Sequence, residues 1–236
     1  MLGGNARSCA IFMFTQLAFD QIAGSDADIR ERVNEHAGFW NGVLGGLQTA
    51  AFVALGRIFD TRKDTNNAGR LLLYAVDHPG IFSEASLAAR KVAQGLNPTF
   101  AAQYASEAHH LKKGDLQPLV DALDQQRAYY DDAVAPIRHN VFAHQGRMTR
   151  AERDEIFAQL PIRQLEALVV FPLRLYDALW ALYMNGAPPE LRSAPTNVAE
   201  ITAAGLGKNV STWEHLHVVA NVAALLKALR LEPPAE

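Results

Sequence analysis

Apolar positions recur every three or four residues along most of the chain, the spacing that lays a hydrophobic stripe down an α-helix. Between Asp26 and Phe59 the stripe reads Ile29, Val33, Phe39, Trp40, Val43, Leu44, Leu47, Ala51, Phe52, Leu55 and Phe59. One helix is predicted there, with Ser25 as its N-cap and Asp26, Asp28 and Glu31 suited to its positive first turn. Gly42, Gly45 and Gly46 weaken its middle, either to admit a close neighbour or to mark a bend. Ahead of it, Arg7 and the apolar run Cys9–Phe14 are followed at once by Gln16, Asp20 and Gln21, which predicts an amphipathic first helix rather than a signal peptide.

A polar loop over 61–69 leads to two shorter helices, 71–76 and 83–95, punctuated by His78-Pro79-Gly80. Asn97 and Pro98 cap and open another. After Lys113-Gly114-Asp115 a long helical stretch runs through Leu119, Leu123, Tyr130, Val134 and Ile137 to about residue 145, and Pro136 either kinks it or starts a new helix. The segment 149–160 is short and charged. The most apolar helix, and so the expected core helix, covers 162–184. A loop rich in Gly and Pro spans 185–207, and Ser211 is the expected cap of a last helix ending near Leu231. Two-residue alternation is almost absent, so strands are not expected. The fold class expected is all-α: one domain over 1–236, a bundle of about six to eight helices with short connections.

Composition narrows the function classes. A chain of 236 residues, 49% hydrophobic, buries roughly 70–75% of its unfolded surface and forms one sizeable core. A single cysteine, Cys9, excludes a disulfide framework and a thiolate zinc cage. Polar residues such as Arg174 and Asp177 break every run before the ~18 apolar residues of a membrane span, so no membrane association and a cytoplasmic location are expected. The net charge of −3 argues against a broadly basic nucleic-acid binder. Contact with RNA would rest on a local patch.

The segment richest in chemistry is Pro136-Ile-Arg-His-Asn-Val-Phe-Ala-His144-Gln-Gly-Arg147. On a regular helix Arg138 and His144 lie roughly 120° apart and ~9 Å along the axis, within reach of a long arginine. Asn140 shares the face of His144 directly. Such a set suits phosphodiester cleavage without a metal or cofactor. A neutral imidazole takes the proton of a ribose 2′-hydroxyl, and a guanidinium braces a phosphate whose charge grows in the pentacoordinate state. One such histidine per chain suggests two protomers meeting across a two-fold axis. The plainer alternative is a hydrated helix end whose histidine favours the negative end of the dipole.

The pattern of an arginine, a nearby polar residue and a histidine late in an all-α bundle resembles the HEPN superfamily. The string Ile-Arg-His-Asn-Val-Phe-Ala-His resembles its abortive-infection (AbiU2-like) branch, as does the upstream Ala54-Leu-Gly-Arg-Ile-Phe-Asp60. That resemblance covers about 26–185, leaving 186–236 as a C-terminal loop and helix. It implies a homodimer with Arg138 and His144 facing the interface, and metal-independent endoribonuclease activity in a toxin–antitoxin or phage-defence setting. RNA would be the substrate and an antitoxin protein a possible partner. Asn140 would orient the catalytic groups. His139, standing where many members carry the polar residue, and Arg57 and Asp60 in the upstream string match substrate-binding or structural positions. Arg147, with Arg150 and Arg153 beyond it, adds a local concentration of donors, although Glu152, Asp154 and Glu155 interleave with them.

Two other readings stand beside this one. The same bundle without catalysis would be a nucleotide-binding or protein-interaction module. Glu107-Ala-His-His110 and Glu214-His-Leu-His217 each hold the Glu-x-x-His spacing of di-metal bundles, with Glu35 or Glu166 as further carboxylates and His36 as a scattered ligand, but in no special pattern. No metal and no cofactor are expected. Trp40, Trp180 and Trp213 are expected to fill core or interface rather than stack on bases.

Overall fold

The structure, a computed structural model, describes residues 2–62, 65–139, 160–204 and 213–231, and all regular structure among them is helical. Helix α1 spans Leu2–Ser25, α2 Ala27–Glu35, α3 Ala37–Phe59 and α4 Ala68–Asp77. A 3-10 turn at Pro79–Phe82 precedes α5 (Glu84–Ala93) and α6 (Pro98–Glu107). Helix α7 covers Gln117–Tyr129 and continues through a π-helical stretch, Tyr130–Val134, into a last α turn, Ala135–Ile137. Beyond it lie α8 (Ile162–Asn185), α9 (Val198–Ala204) and α10 (Glu214–Leu231).

The bundle is all-α as expected, in more pieces than six to eight because single residues break the stripes. His36 leaves helical geometry at φ −121°, ψ 35° and divides the predicted 26–59 helix into α2 and α3. Asp26, not Ser25, is the cap: its carboxylate accepts from the backbone N–H of Asp28 and Ile29 at 3.1 and 3.2 Å, while Ser25 donates back to the Ile22 carbonyl. Asn97 and Pro98 start α6 as predicted, with Asn97 Oδ1 accepting from Thr99 N–H. Pro136 ends nothing. The chain stays helical through it, and Ala135 N–H reaches back five residues to the Tyr130 carbonyl. The predicted helix past residue 139 and the cap at Ser211 lie outside the described residues.

Two helices share the centre. In α1, Ala6, Cys9, Ala10, Met13 and Phe14 are buried at three-four spacing, and the helix packs against α3, α8 and α10. Its small alanines let those neighbours approach closely. In α8, Leu168, Val169, Val170 and Leu175 are fully buried, which fits its expected core role. Burial pushes the Cys9 thiol far above its ordinary range.

The charged groups that interrupt α8 are tied down locally. Arg174 donates from Nε to the Arg192 carbonyl at 2.7 Å and from Nη2 to the Leu191 carbonyl at 3.1 Å, and Asp177 accepts from Trp213 Nε1. Glu166, though buried, accepts from Val198 N–H at 3.2 Å at the start of α9. Desolvation pushes its carboxyl up, opposed by that hydrogen bond.

The expectation that no stretch reaches the length of a membrane span rests on continuous apolar runs. Helices α3 and α8 are each long and apolar enough to cross a membrane by length and composition, with mean hydropathy 1.4. An average over such a window tolerates the polar residues that break the continuous runs. The core helix of a folded domain passes the same test, and in this fold 56% of the α8 window and 39% of the α3 window are buried. The first half of α3 is the less covered part, and Phe39 there is 64% exposed.

Candidate functional site

The C-terminal end of α3 and the continuation of α7 lie against each other, and the packing follows from one absent side chain. A Cβ built on Gly56 would overlap the Arg138 guanidinium and stand 2.9 Å from its Cδ. Gly56 therefore gives Arg138 a bed on the α3 backbone, while Arg138 as a whole remains exposed. Phe59, one turn on, stacks on Tyr130 with ring centroids 5.2 Å apart and planes inclined by 20°.

Asp60 closes the group. It ends α3, and its Oδ1 accepts from Arg62 N–H at 3.0 Å while Oδ2 faces Arg62 Nε at 3.3 Å. That backbone hydrogen bond, aided by the charges of Arg62 and Arg138, holds the Asp60 carboxyl below the usual carboxylate range against a small desolvation. Burial pushes the Tyr130 phenol up, and the positive charge of Arg138 opposes the shift. The Tyr130 hydroxyl is buried near the guanidinium yet makes no hydrogen bond of normal geometry among the described residues. Arg138, Asp60, Tyr130 and Gly56 thus form one cluster: an exposed guanidinium, an anchored carboxylate and a protonated phenol.

The loop after Asp60 is held by Asn67. Its Oδ1 caps α4 by accepting from Arg70 N–H at 2.9 Å, and its Nδ2 donates toward the carbonyls of Arg62 and Thr65 and the Thr65 hydroxyl. A buried amide so engaged ties Arg62 and Thr65 to the start of α4.

Of the residues singled out in the sequence, Arg138 and Asp60 are brought together. Arg57 is exposed on the last turn of α3 and makes no hydrogen bond or ion pair among the described residues. His139 follows Arg138 and is exposed. Asn140, His144 and Arg147 lie outside the described residues. Tyr130 and Gly56 were missed. Tyr130 stands eight residues before Arg138, about two helical turns, so spacing alone places the two on neighbouring faces. The π-helical stretch at Tyr130–Val134 adjusts that register, and such insertions concentrate at functional sites.

The Glu-x-x-His pairs lead elsewhere. Glu107 accepts from Gln103, His110 faces the Ser106 carbonyl, and His109 pairs with Asp115 at 3.0 Å. Among the described residues no group of three His, Cys, Asp or Glu side chains gathers as a metal site would require.

No curated protein and no solved structure matches the chain. A family model does: that of the AbiU2 family of HEPN domains, over residues 29–201, a span that runs from within α2 into α9 and includes the Arg138 cluster. By its fold, its motif strings and this match over most of its length, the chain belongs to the AbiU2 family of HEPN domains.

Proposed function

We propose that the protein is a metal-independent endoribonuclease of a toxin–antitoxin or phage-defence type, working as a homodimer. The observation that carries the reading is Arg138, its guanidinium seated on Gly56 beside Asp60 and the residue as a whole exposed. In this reading Arg138 grips the scissile phosphate and neutralises the charge that builds on its oxygens. His144 takes the proton from the ribose 2′-hydroxyl, the 2′-oxygen bonds to phosphorus, and the P–O5′ bond breaks. The products are a 2′,3′-cyclic phosphate and a 5′-hydroxyl whose proton comes from an acid, the partner protomer's copy of the same histidine. Asn140 orients the base. Tyr130 keeps its proton at neutral pH and packs behind the guanidinium. Asp60 acts on Arg138 through its charge, while its hydrogen bonds go to Arg62.

The test is incubation of purified protein with a mixed RNA pool in EDTA. Cleavage is expected from the wild type and should fall at least 100-fold in Arg138→Ala and in His144→Ala, with melting temperatures unchanged within a few degrees. A pool left intact both in EDTA and with divalent metals would overturn the nuclease reading and leave a non-catalytic binding module on the same bundle.

A further inference from the structure

A concavity among the described residues lies away from Arg138 and has no role in the reaction above. It holds about 600 Å³, within the range of small-molecule sites. It is formed where α4, the 3-10 turn and α8 meet the start of α1, and its walls are dominated by Tyr74, Tyr176, Trp180 and Tyr183. Tyr176 and Trp180 stack on one side of α8, 5.9 Å apart and nearly parallel at 13°, with Tyr183 next in line at 6.1 Å from Trp180. A core would hide these rings. Here Trp180 is 48% exposed and Tyr74, across the cavity, 53% exposed. Of the two places expected for Trp180, core or interface, the core is not where it sits.

The charge around the cavity has one sign. Arg70 lines it. Arg90 lies 4.1 Å from the Tyr183 ring centroid and ties to the Ile81 carbonyl, while its buried Nε and Nη2 have no hydrogen-bond partner among the described residues. Arg7 lies 6.0 Å from the centre of the Tyr176 ring. No carboxylate is among the lining residues. Two of the rings thus have a guanidinium near their centres, and the third guanidinium, that of the lining residue Arg70, donates from Nη1 to the Thr65 carbonyl at 3.3 Å.

We infer that this cavity binds a base together with its phosphate: a planar aromatic ring against Trp180 and Tyr74, and the anion toward Arg70. Aromatic faces hold any base by stacking, worth roughly 1–3 kcal/mol per base, and a guanidinium supplies the matching charge for a phosphate. The ligand is either a free mononucleotide or one unpaired nucleotide of a single-stranded RNA, since both present the same chemistry. The site stands whether or not the chain cleaves RNA, because none of the residues of the Arg138 cluster lines it.

The test is equilibrium dialysis of the full chain carrying Arg138→Ala, which keeps RNA intact. The probes are AMP, GMP, CMP and UMP, a mixed-sequence single-stranded RNA decamer, and adenosine as the uncharged control. Saturable binding of at least one nucleotide or of the decamer is expected, weakened tenfold or more by Trp180→Leu and by Arg70→Gln, with adenosine at least tenfold weaker than AMP. Binding of mononucleotides identifies a free ligand, and binding of the decamer alone identifies a chain-borne base. Tyr74→Leu, a change at an exposed ring, gives the same answer should Trp180→Leu lower stability. Absence of saturable binding by all probes, binding indifferent to all three substitutions, or adenosine held as tightly as AMP would overturn the inference.

Discussion

Gly56 decides where the Arg138 guanidinium rests, and it does so by lacking an atom. Alanine there favours the helix by roughly 0.5–1 kcal/mol but displaces a flexible side chain. Gly56→Ala is therefore expected to hold or raise the melting temperature while cutting RNA cleavage about tenfold, read by parallel calorimetry and kinetics; unchanged cleavage would separate the bed from the activity. Glu166 offers a pH test. Its folded carboxyl titrates above its unfolded value, so the wild type loses stability as pH climbs from about 4.5 through the folded value. Glu166→Gln keeps an oxygen for Val198 N–H and removes the buried charge, so melts between pH 4 and 8 should show a higher and flatter stability curve for the variant. Cys9, fully buried and pushed strongly toward its thiol form, should react with a thiol reagent only as fast as the protein unfolds.

Elements explain what the sequence made legible and what it hid. Helical periodicity reveals α1, α3 and α8 because their buried residues repeat at three-four spacing. It does not reveal the break at His36, nor does it distinguish Asp26 from Ser25 as the cap. Arg138 is legible in its motif and Asp60 in the upstream string. Tyr130 reads as one more core aromatic until folding sets it against Phe59 and Arg138. The aromatic cavity leaves no local signal, since α1, α4 and α8 each contribute only part of its wall. At this scale Asn67 is the keystone of the connection from α3 to α4. Asn67→Ala is expected to cost about 1–2 kcal/mol in denaturant unfolding, through the lost cap and the loop bonds together. If that loop also positions Asp60, cleavage falls with it.

Across the whole molecule, α1 and α8 form the frame, and the Arg138 cluster sits where α3 and the π-helical extension of α7 meet. A rigid frame with an exposed guanidinium at its edge suits transition-state stabilisation, which rewards donors that do not reorganise. Shortening a central side chain tests the frame: Leu175→Ala should destabilise the chain by about 2–5 kcal/mol and leave cleavage per folded molecule unchanged. The central claim is that Arg138 serves metal-free attack by a 2′-hydroxyl on its own phosphate. Its most direct test is mass spectrometry of the RNA ends formed in EDTA. Wild type should yield 2′,3′-cyclic phosphates and 5′-hydroxyls, with neither accumulating in Arg138→Ala. Ends of 3′-hydroxyl and 5′-phosphate, or equal yields from the two proteins, would contradict it.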